Sequence, residues 1–273
     1  TPVDKIRRNE RMSAMMKILA AKPNRIFTLS YFCDLFGSAK STMSEDIDIL
    51  RDVVAHFGLG ELETVTGAAG GVRYRTKVRR PEARKFIGDL CQQLSEEGRV
   101  LPGGFLYYSD ILSTPEIVTR MGEIMATEYY AAAPDFVLTM ETKGIPVAFS
   151  TANALGVPLV IARRSSKVYE GSAVNINYVS GSSGHIETMS LSRRAVQEGQ
   201  KCLIVDDFLK GGGTAKGMVD LMREFNVDVV GMTFVMSTAK PVKKRVMGEK
   251  SLMVMDIDQE HETVLVKPAF WLN

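Results

Sequence analysis

Cys202-Leu203-Ile204-Val205-Asp206-Asp207-Phe208-Leu209-Lys210-Gly211-Gly212-Gly213-Thr214 decides how the rest of the chain is read. Cys202 to Val205 is a short apolar run, the pattern of a strand buried on both faces. Two carboxylates follow where that strand should emerge, and then comes a glycine loop. Met218, Leu221, Met222 and Phe225 next fall on one face of a helix. In an open α/β sheet, ligands bind in the crevice at the carboxyl ends of the strands. Glycines let backbone N–H groups close around a phosphate, and a helix N-terminus adds positive partial charge. Paired carboxylates just before that cradle would repel a phosphate but suit the 2′ and 3′ hydroxyls of a ribose, with or without a divalent cation. The stretch therefore asks for a ribose carrying a 5′-phosphate. An ordinary strand–turn–helix joint is the alternative it leaves open.

Two other phosphate motifs fit badly. A Walker A loop needs a glycine, four residues and then Gly-Lys-Ser/Thr, a spacing that does not occur here. A dinucleotide fingerprint has its acid about twenty residues after the glycines, not directly before them. The order of four apolar residues, two acids, two apolar residues and a glycine-threonine loop resembles the phosphoribosyl-pyrophosphate motif of type I phosphoribosyltransferases.

At 273 residues the chain has room for one large or two ordinary domains. Hydrophobic content of 45% and charged content of 24% are those of a globular protein. No apolar run approaches a membrane span, and no basic-then-apolar signal segment opens the residues given. Cys33, Cys91 and Cys202 are odd in number and far apart, and His56, His185 and His261 are equally scattered. That pattern argues against a zinc site and for a reducing, cytoplasmic setting. The net charge of +2 hides an asymmetry. Residues 1–80 hold 14 Lys+Arg against 9 Asp+Glu, and residues 81–273 hold 20 against 23. A basic first third is a modest pointer to nucleic acid.

Within that first third, Lys5 to Lys22 reads as a helix ended by Pro23. Thr28 can cap a second helix that runs to Phe36 and closes at Gly37. Ser38 starts a third segment, whose helix opens with Lys40 and in which Ile47, Leu50, Val54 and Phe57 recur at helical spacing. This is a helix-turn-helix pattern. Lys40, Ser41, Thr42 and Ser44 suit the start of a recognition helix that meets bases and phosphates. Leu62 to Arg75 then reads as a hairpin with a glycine-rich tip at Gly67 to Gly71, the wing of a winged helix. Arg73, Arg75 and Lys77 share one strand face, within reach of phosphates. Arg7, Arg8 and Arg11 on the first helix read equally as a solvated face or as phosphate contacts. A small helical cap or dimerisation module is the alternative for this region.

Arg79-Arg80-Pro81 marks a boundary, giving domains at 1–78 and 79–273. Glu82 to Glu97 reads as a helix. In the run Phe105 to Tyr108, Tyr107 is the candidate for stacking on a base, although such a run is more often interface core. From Thr114 the chain alternates: a helix from Pro115 to Tyr130, a strand from Phe136 to Met140, a helix to about Leu155 and a strand from Leu159 to Ala162. That alternation implies parallel crossovers. Glu141-Thr142-Lys143-Gly144 lies where a second anion loop should be and resembles the Glu-x-x-Gly turn of adenine phosphoribosyltransferases. Arg163-Arg164-Ser165-Ser166-Lys167 is a basic turn suited to pyrophosphate through charge-assisted hydrogen bonds, or simply a solvated one. Ala173 to Tyr178 and His185 to Leu191 read as a hairpin with its tip at Ser180 to Gly184. Val227 to Met236, Leu252 to Ile257 and Val264 to Val266 read as further strands.

A winged helix fused ahead of such a domain is similar to the purine operon repressor family of Gram-positive bacteria. The likeness covers nearly the whole chain. It includes Thr66 to Val72, Leu101-Pro102-Gly103-Gly104, Asn175 to Ser183 and Val205 to Thr214. The resemblance implies a winged helix-turn-helix followed by a type I phosphoribosyltransferase-like parallel α/β domain. It implies a cytoplasmic homodimer that binds operator DNA at purine biosynthesis and salvage genes and senses phosphoribosyl pyrophosphate without catalysis. In such repressors that ligand, with Mg2+ as an allowed companion, relieves repression, and guanosine tetraphosphate competes for its site; some relatives activate. The site it implies has Asp206 and Asp207 on the ribose hydroxyls beside Phe208. Lys210, Gly211, Gly212, Gly213 and Thr214 would hold the 5′-phosphate. Thr142, Lys143 and Gly144 with Arg163, Arg164 and Lys167 would hold the pyrophosphate. An active purine phosphoribosyltransferase with an appended DNA-binding module is the rival reading. Lys210 and Gly211 stand where many enzymes have a small residue and a threonine, which alters the loop without proving inactivity. Lys267 to Trp271 reads as a cap or a tail.

Overall fold

The computed structural model describes residues 6–68, 70–166, 168–180, 184–258 and 263–273. Lys167, the wing-tip Ala69 and the hairpin-tip residues Gly181, Ser182 and Ser183 lie outside the described residues, as does His261. The chain forms two compact units, one of residues 1–78 with 153–156, the other of 79–152 with 157–273.

The first unit opens with helices α1 (Arg8–Ala21), α2 (Leu29–Phe36) and α3 (Lys40–His56). The Thr28 hydroxyl accepts a hydrogen bond from the Tyr31 N–H at 3.1 Å, and a left-handed Gly37 ends α2. The third helix starts at Lys40, as the sequence suggested. Ala39 is its N-cap, while the Ser38 hydroxyl is turned back onto the Phe36 carbonyl. A hairpin of β1 (Glu61–Val65) and β2 (Gly71–Arg75) follows. Phe27, between α1 and α2, exchanges two backbone hydrogen bonds with Val72 and so pairs with the wing. Met15, Leu19, Phe32, Met43, Ile47, Leu50, Leu62 and Val72 form the core. Beside it, Asp46 is fully buried and accepts from Arg11 Nε at 2.9 Å; the Arg11 guanidinium also donates to the Ile6 carbonyl. Arg11 is thereby a fold residue and not a phosphate contact.

The second unit begins with α4 (Arg80–Leu94), a two-stranded ribbon of β3 (Val100–Leu101) and β4 (Phe105–Leu106), and helices α5 (Ser109–Ser113) and α6 (Pro115–Tyr129). Then come β5 (Phe136–Met140), α7 (Ile145–Leu155), β6 (Leu159–Ala162), the hairpin β7 (Ala173–Val179) and β8 (Ile186–Ser192), and β9 (Lys201–Leu209). The unit closes with α8 (Gly213–Glu224), β10 (Asp228–Thr238), β11 (Lys250–Asp258) and β12 (Thr263–Pro268). The described residues give one large sheet ordered β12-β11-β10-β9-β5-β6, in which β12 pairs antiparallel and the other neighbours are parallel. Every residue of β5 is buried, as expected of a parallel sheet covered on both faces.

The sheet starts at β5 and grows first to one side, to β6, and then to the other, to β9. The switch point where strand order reverses therefore lies between β5 and β9, where open α/β sheets bind ligands. β9 is longer than the sequence suggested. Phe234, Met236 and Ser237 of β10 stay in register with Asp206, Phe208 and Leu209, so the two acids sit on the strand and not beyond it. On the other side, β5 pairs with β9 only as far as Leu138 with Ile204. The sheet opens just before the acids.

Removing one partner of a buried ion pair strands the other charge, at a cost of about 3–5 kcal/mol. Asp46→Ala should therefore lower the stability of the first unit by about that amount. Arg8→Ala should change it by less than about 1 kcal/mol, because Arg8 is half exposed. Amide hydrogen exchange along α3 reads the difference; equal protection in the two variants would contradict it.

Candidate functional site

Asp206 is buried on β9, and its Oδ1 accepts the Asp207 N–H at 2.9 Å. The pyrophosphate-type turn after β5 packs directly against it. Gly144 is buried there, and any Cβ at that position would overlap the Asp206 carboxylate and crowd the Thr139 hydroxyl. A glycine is required because the backbone of the turn after β5 packs directly on the Asp206 side chain of β9 at the switch point. Burial, and then the adjacent Asp207, push the Asp206 carboxyl well above the usual carboxylate range. The Thr139 hydroxyl is buried without a hydrogen-bond partner in this corner.

Asp207 is half-buried, and its Oδ2 accepts the Tyr108 hydroxyl at 2.6 Å. Tyr108 comes from the segment between β4 and α5 and is only 8% exposed. Its ring stacks on Phe208 with centroids 6.3 Å apart, and the Lys143 ammonium lies 5.2 Å from its centroid. Burial and the neighbouring Asp207 push the phenol far above its ordinary pKa, so it stays a donor. Tyr107 is 45% exposed, and the Arg99 guanidinium lies 6.0 Å from its ring centroid; the contact with the acid pair comes from Tyr108, which the sequence reading did not single out. The residues alternate along the extended backbone: Leu106 and Tyr108 are buried, Phe105 and Tyr107 exposed.

The glycine loop after β9 leads into a helix, as its sequence suggested. Gly212 is the left-handed N-cap of α8 with φ +84°, and no side chain caps the helix. The first turn of α8 thus offers backbone N–H groups from Gly213 onward, with Thr214 half-buried beside them. Lys210 is exposed on the loop. A strap beyond β10, missed in the sequence, braces it. The Arg245 N–H donates to the Gly211 carbonyl at 3.0 Å, and Val246 is buried in the sheet core. Lys244 is anchored on the Thr238 carbonyl and hydroxyl at 2.8 and 3.0 Å, and burial lowers its pKa. Lys240, Lys243 and Arg245 are exposed on this strap. The run Lys240 to Arg245 was the available signal, but its distance in sequence from the loop hid the contact.

The basic turn after β6 carries its own counter-ions. The Arg164 N–H donates to Glu141 at 2.6 Å, and its guanidinium donates to Glu187 of β8 at 3.2 Å. Arg163 lies 3.8 Å from Glu141. Glu187 also accepts the Tyr178 hydroxyl at 2.9 Å, and burial followed by that bond pushes the phenol up to about 12. The Tyr178 ring packs so closely on α8 that a Cβ at Gly217 would crowd it. The hairpin β7–β8 therefore links the basic turn to the helix that follows the glycine loop. Thr142 and Lys143 are exposed at the mouth.

No three His, Cys, Asp or Glu side chains gather to hold a metal among the described residues. Asp206 and Asp207 are adjacent oxygen donors of the kind Mg2+ accepts.

On the first unit, Lys40, Ser41 and Ser44 are exposed at the start of α3, and Thr42 is half-buried. Arg7 is exposed. Arg8 pairs with Glu45 at 2.9 Å and Asp46 at 3.1 Å. The wing cations are paired with carboxylates of the same hairpin. Arg73 and Arg75 both reach Glu63, at 2.7 and 2.9 Å, and Lys77 reaches Glu61 at 3.1 Å. Glu63 stands directly opposite Arg73 in the hairpin register, so cross-strand pairing takes these charges first. The Arg73 hydrogen bond holds the Glu63 carboxyl below its usual range.

The family model "Bacterial purine repressor, N-terminal" matches residues 7–76, and the model "Phosphoribosyl transferase domain" matches 108–269. The chain is 43% identical over 271 residues to the purine biosynthesis transcriptional repressor PurR of Bacillus subtilis, covering 98% of this chain and 95% of that one. It is 39% identical over 251 residues to the purine biosynthesis transcriptional activator PurR of Lactococcus lactis, covering 92% and 93%. Among solved structures, adenine phosphoribosyltransferase from Thermoanaerobacter pseudethanolicus is similar in fold, with a TM-score of 0.53 and 23% identity over 61% of this chain and 98% of that one. No helix among the described residues is long and apolar enough to cross a membrane.

A carboxyl whose pKa rises on folding stabilises the fold fully below its unfolded pKa and loses that contribution as pH climbs through the folded value. Asp206 is such a group. Asp206→Asn keeps the acceptor for the Asp207 N–H and removes the charge. Its thermal midpoint should match wild type near pH 4 and gain on it steadily toward about pH 8. A constant offset across that range would show that Asp206 does not titrate as a buried acid.

Proposed function

Because the chain belongs to the bacterial purine repressor family, we propose that it is a DNA-binding regulator of purine biosynthesis genes whose second unit binds phosphoribosyl pyrophosphate as an effector. The observation that carries the ligand is the corner where Gly144 packs on Asp206. It sets two acids and two anion-type loops around one switch point. Asp206 and Asp207 would take the ribose hydroxyls. The N-terminal N–H groups of α8, with Thr214 and Lys210, would take the 5′-phosphate, and the turn Thr142 to Gly144 with Arg163 and Arg164 the pyrophosphate. Mg2+, when bound with the ligand, would neutralise part of its charge. The domain acts as a sensor and not as an enzyme, in line with relatives named for transcriptional regulation. Guanosine tetraphosphate, also a phosphorylated ribose, is placed as a competitor. We place the protein in the cytoplasm as a homodimer, reading two half-sites through α3 of each copy.

An effector changes operator affinity only through different affinities for two states of the protein. Linkage then makes the effect reciprocal: operator DNA must alter effector affinity by the same factor. The relatives' opposite printed names, repressor and activator, show that the direction differs between members. Here the repressor reading is preferred, since that relative is the more similar of the two.

Fluorescence anisotropy on an operator fragment, with and without phosphoribosyl pyrophosphate and Mg2+ at fixed salt, tests this reading. Tight binding released by the ligand is expected. No DNA binding, together with pyrophosphate release when a purine base is added, would instead establish an enzyme. In the same assay, Lys40→Ala should weaken operator binding and reduce the slope of log K against log salt by about 1. An unchanged slope would remove Lys40 from the interface.

A further inference from the structure

Tyr108 belongs to neither anion loop nor to the acid motif, yet it touches the working parts of the site. Its phenol donates to Asp207 Oδ2 at 2.6 Å, its ring stacks on Phe208 and its π-face receives Lys143. Lys143 belongs to the turn after β5, and Asp207 and Phe208 belong to β9. One buried side chain therefore spans the two halves of the switch point. Its own segment is fixed in turn: Arg99 donates to Asp110 at 2.7 Å, and the Tyr107 N–H donates to the Arg99 carbonyl at 2.8 Å. A ring held this way is a rigid fitting.

We infer that Tyr108 is a positioning residue of the effector site, which orients the Asp207 carboxylate for the hydroxyls of a ribose and seats Lys143 for the ligand's anionic group. This rests on the effector reading above. The chemistry follows from the donor inventory. A carboxylate has about four lone-pair sites, and one bond from Tyr108 fixes its rotation while leaving the others for ligand hydroxyls. A phenol that donates to a carboxylate also keeps lone pairs, so the Tyr108 oxygen itself can accept a neighbouring ribose hydroxyl. Charge-assisted O–H···O⁻ bonds are short and strong, as this one is. Fixing Asp207 beforehand lowers the ordering cost of binding. Seating Lys143 on a ring does the same for a side chain that is otherwise exposed and free to turn.

The test separates the hydroxyl from the ring. Tyr108→Phe keeps the stacking and the Lys143 contact and removes only the bond to Asp207; Tyr108→Leu removes both. Binding of phosphoribosyl pyrophosphate, ribose 5-phosphate and 2-deoxyribose 5-phosphate is measured by calorimetry on the full chain, with circular dichroism confirming the fold of each variant. Wild type should prefer ribose 5-phosphate over its deoxy counterpart. Tyr108→Phe should weaken ribose 5-phosphate about tenfold and 2-deoxyribose 5-phosphate much less, because the lost bond and the missing hydroxyl are coupled. Tyr108→Leu should in addition weaken phosphoribosyl pyrophosphate and flatten its dependence on salt. Equal weakening of both sugars in Tyr108→Phe would mean a merely structural tyrosine and overturn the inference, as would no weakening at all. Failure of wild type to bind any of the three ligands would instead fell the effector reading itself.

Discussion

The second unit depends on placing two carboxylates side by side at the edge of a buried parallel sheet. Asp206 is almost fully buried, and its neighbour Asp207 carries a like charge. Every nearby feature reduces that electrostatic cost. The Asp207 N–H bonds to Asp206, the Tyr108 hydroxyl bonds to Asp207, and the lysine of the adjoining turn lies over the Tyr108 ring. The constraint also reaches backward into sequence: Gly144 has no side chain because the Asp206 carboxylate occupies the space. An apolar pair at these positions would be easier to bury. What the acid pair supplies in return for its burial is a set of hydrogen-bond acceptors at the switch point.

The first unit solves a similar problem differently. Asp46, on the core side of α3, is fully buried, and Arg11 of α1 reaches it with almost no exposure of its own. A buried pair of this kind adds little net stability over a hydrophobic pair, but it fixes which turn of α1 faces which turn of α3. That orientation sets which residues α3 leaves outside. Lys40, Ser41 and Ser44 are outside, whereas Arg8 is drawn into the pair's edge by Asp46 and Glu45. Arg8, Arg11, Arg73, Arg75 and Lys77 are all paired with Glu45, Asp46, Glu61 or Glu63. The net excess of cations in residues 1–80 is unchanged by this pairing, but those five side chains are not the ones that display it.

Patterns local in sequence were legible. Phe136–Met140 and Leu159–Ala162 are strands with the ends their apolar runs suggest, and Thr28 and Gly37 bound α2. The acid pair and the glycine loop were legible because that chemistry needs adjacent residues. What was not legible depends on partners far away. The extension of β9 through Asp207 comes from its register with β10. The choice of Tyr108 over Tyr107 comes from which side of a short extended segment meets β9, a parity that neither aromatic residue reveals by itself. The strap's Arg245 meets Gly211 across more than thirty residues, through a backbone N–H that no side-chain pattern records. The pairing of the wing's arginines was hidden because their carboxylate partner sits on the opposite strand of the hairpin.

The same long-range pairing bears on what kind of binding the site supports. Arg164 is shared between Glu141 and Glu187, and Arg163 lies close to Glu141. A phosphate that engages these guanidinium groups must exchange with carboxylates already there, so the gain is the difference between two charge-assisted interactions and not the whole of one. Glu187 in turn accepts the Tyr178 hydroxyl, and the Tyr178 ring packs against Gly217 of α8. Displacing Glu187 from Arg164 would therefore act on a hairpin residue packed against the helix that follows the glycine loop. For any anion bound at this turn, the protein's own carboxylates define the alternative against which it competes.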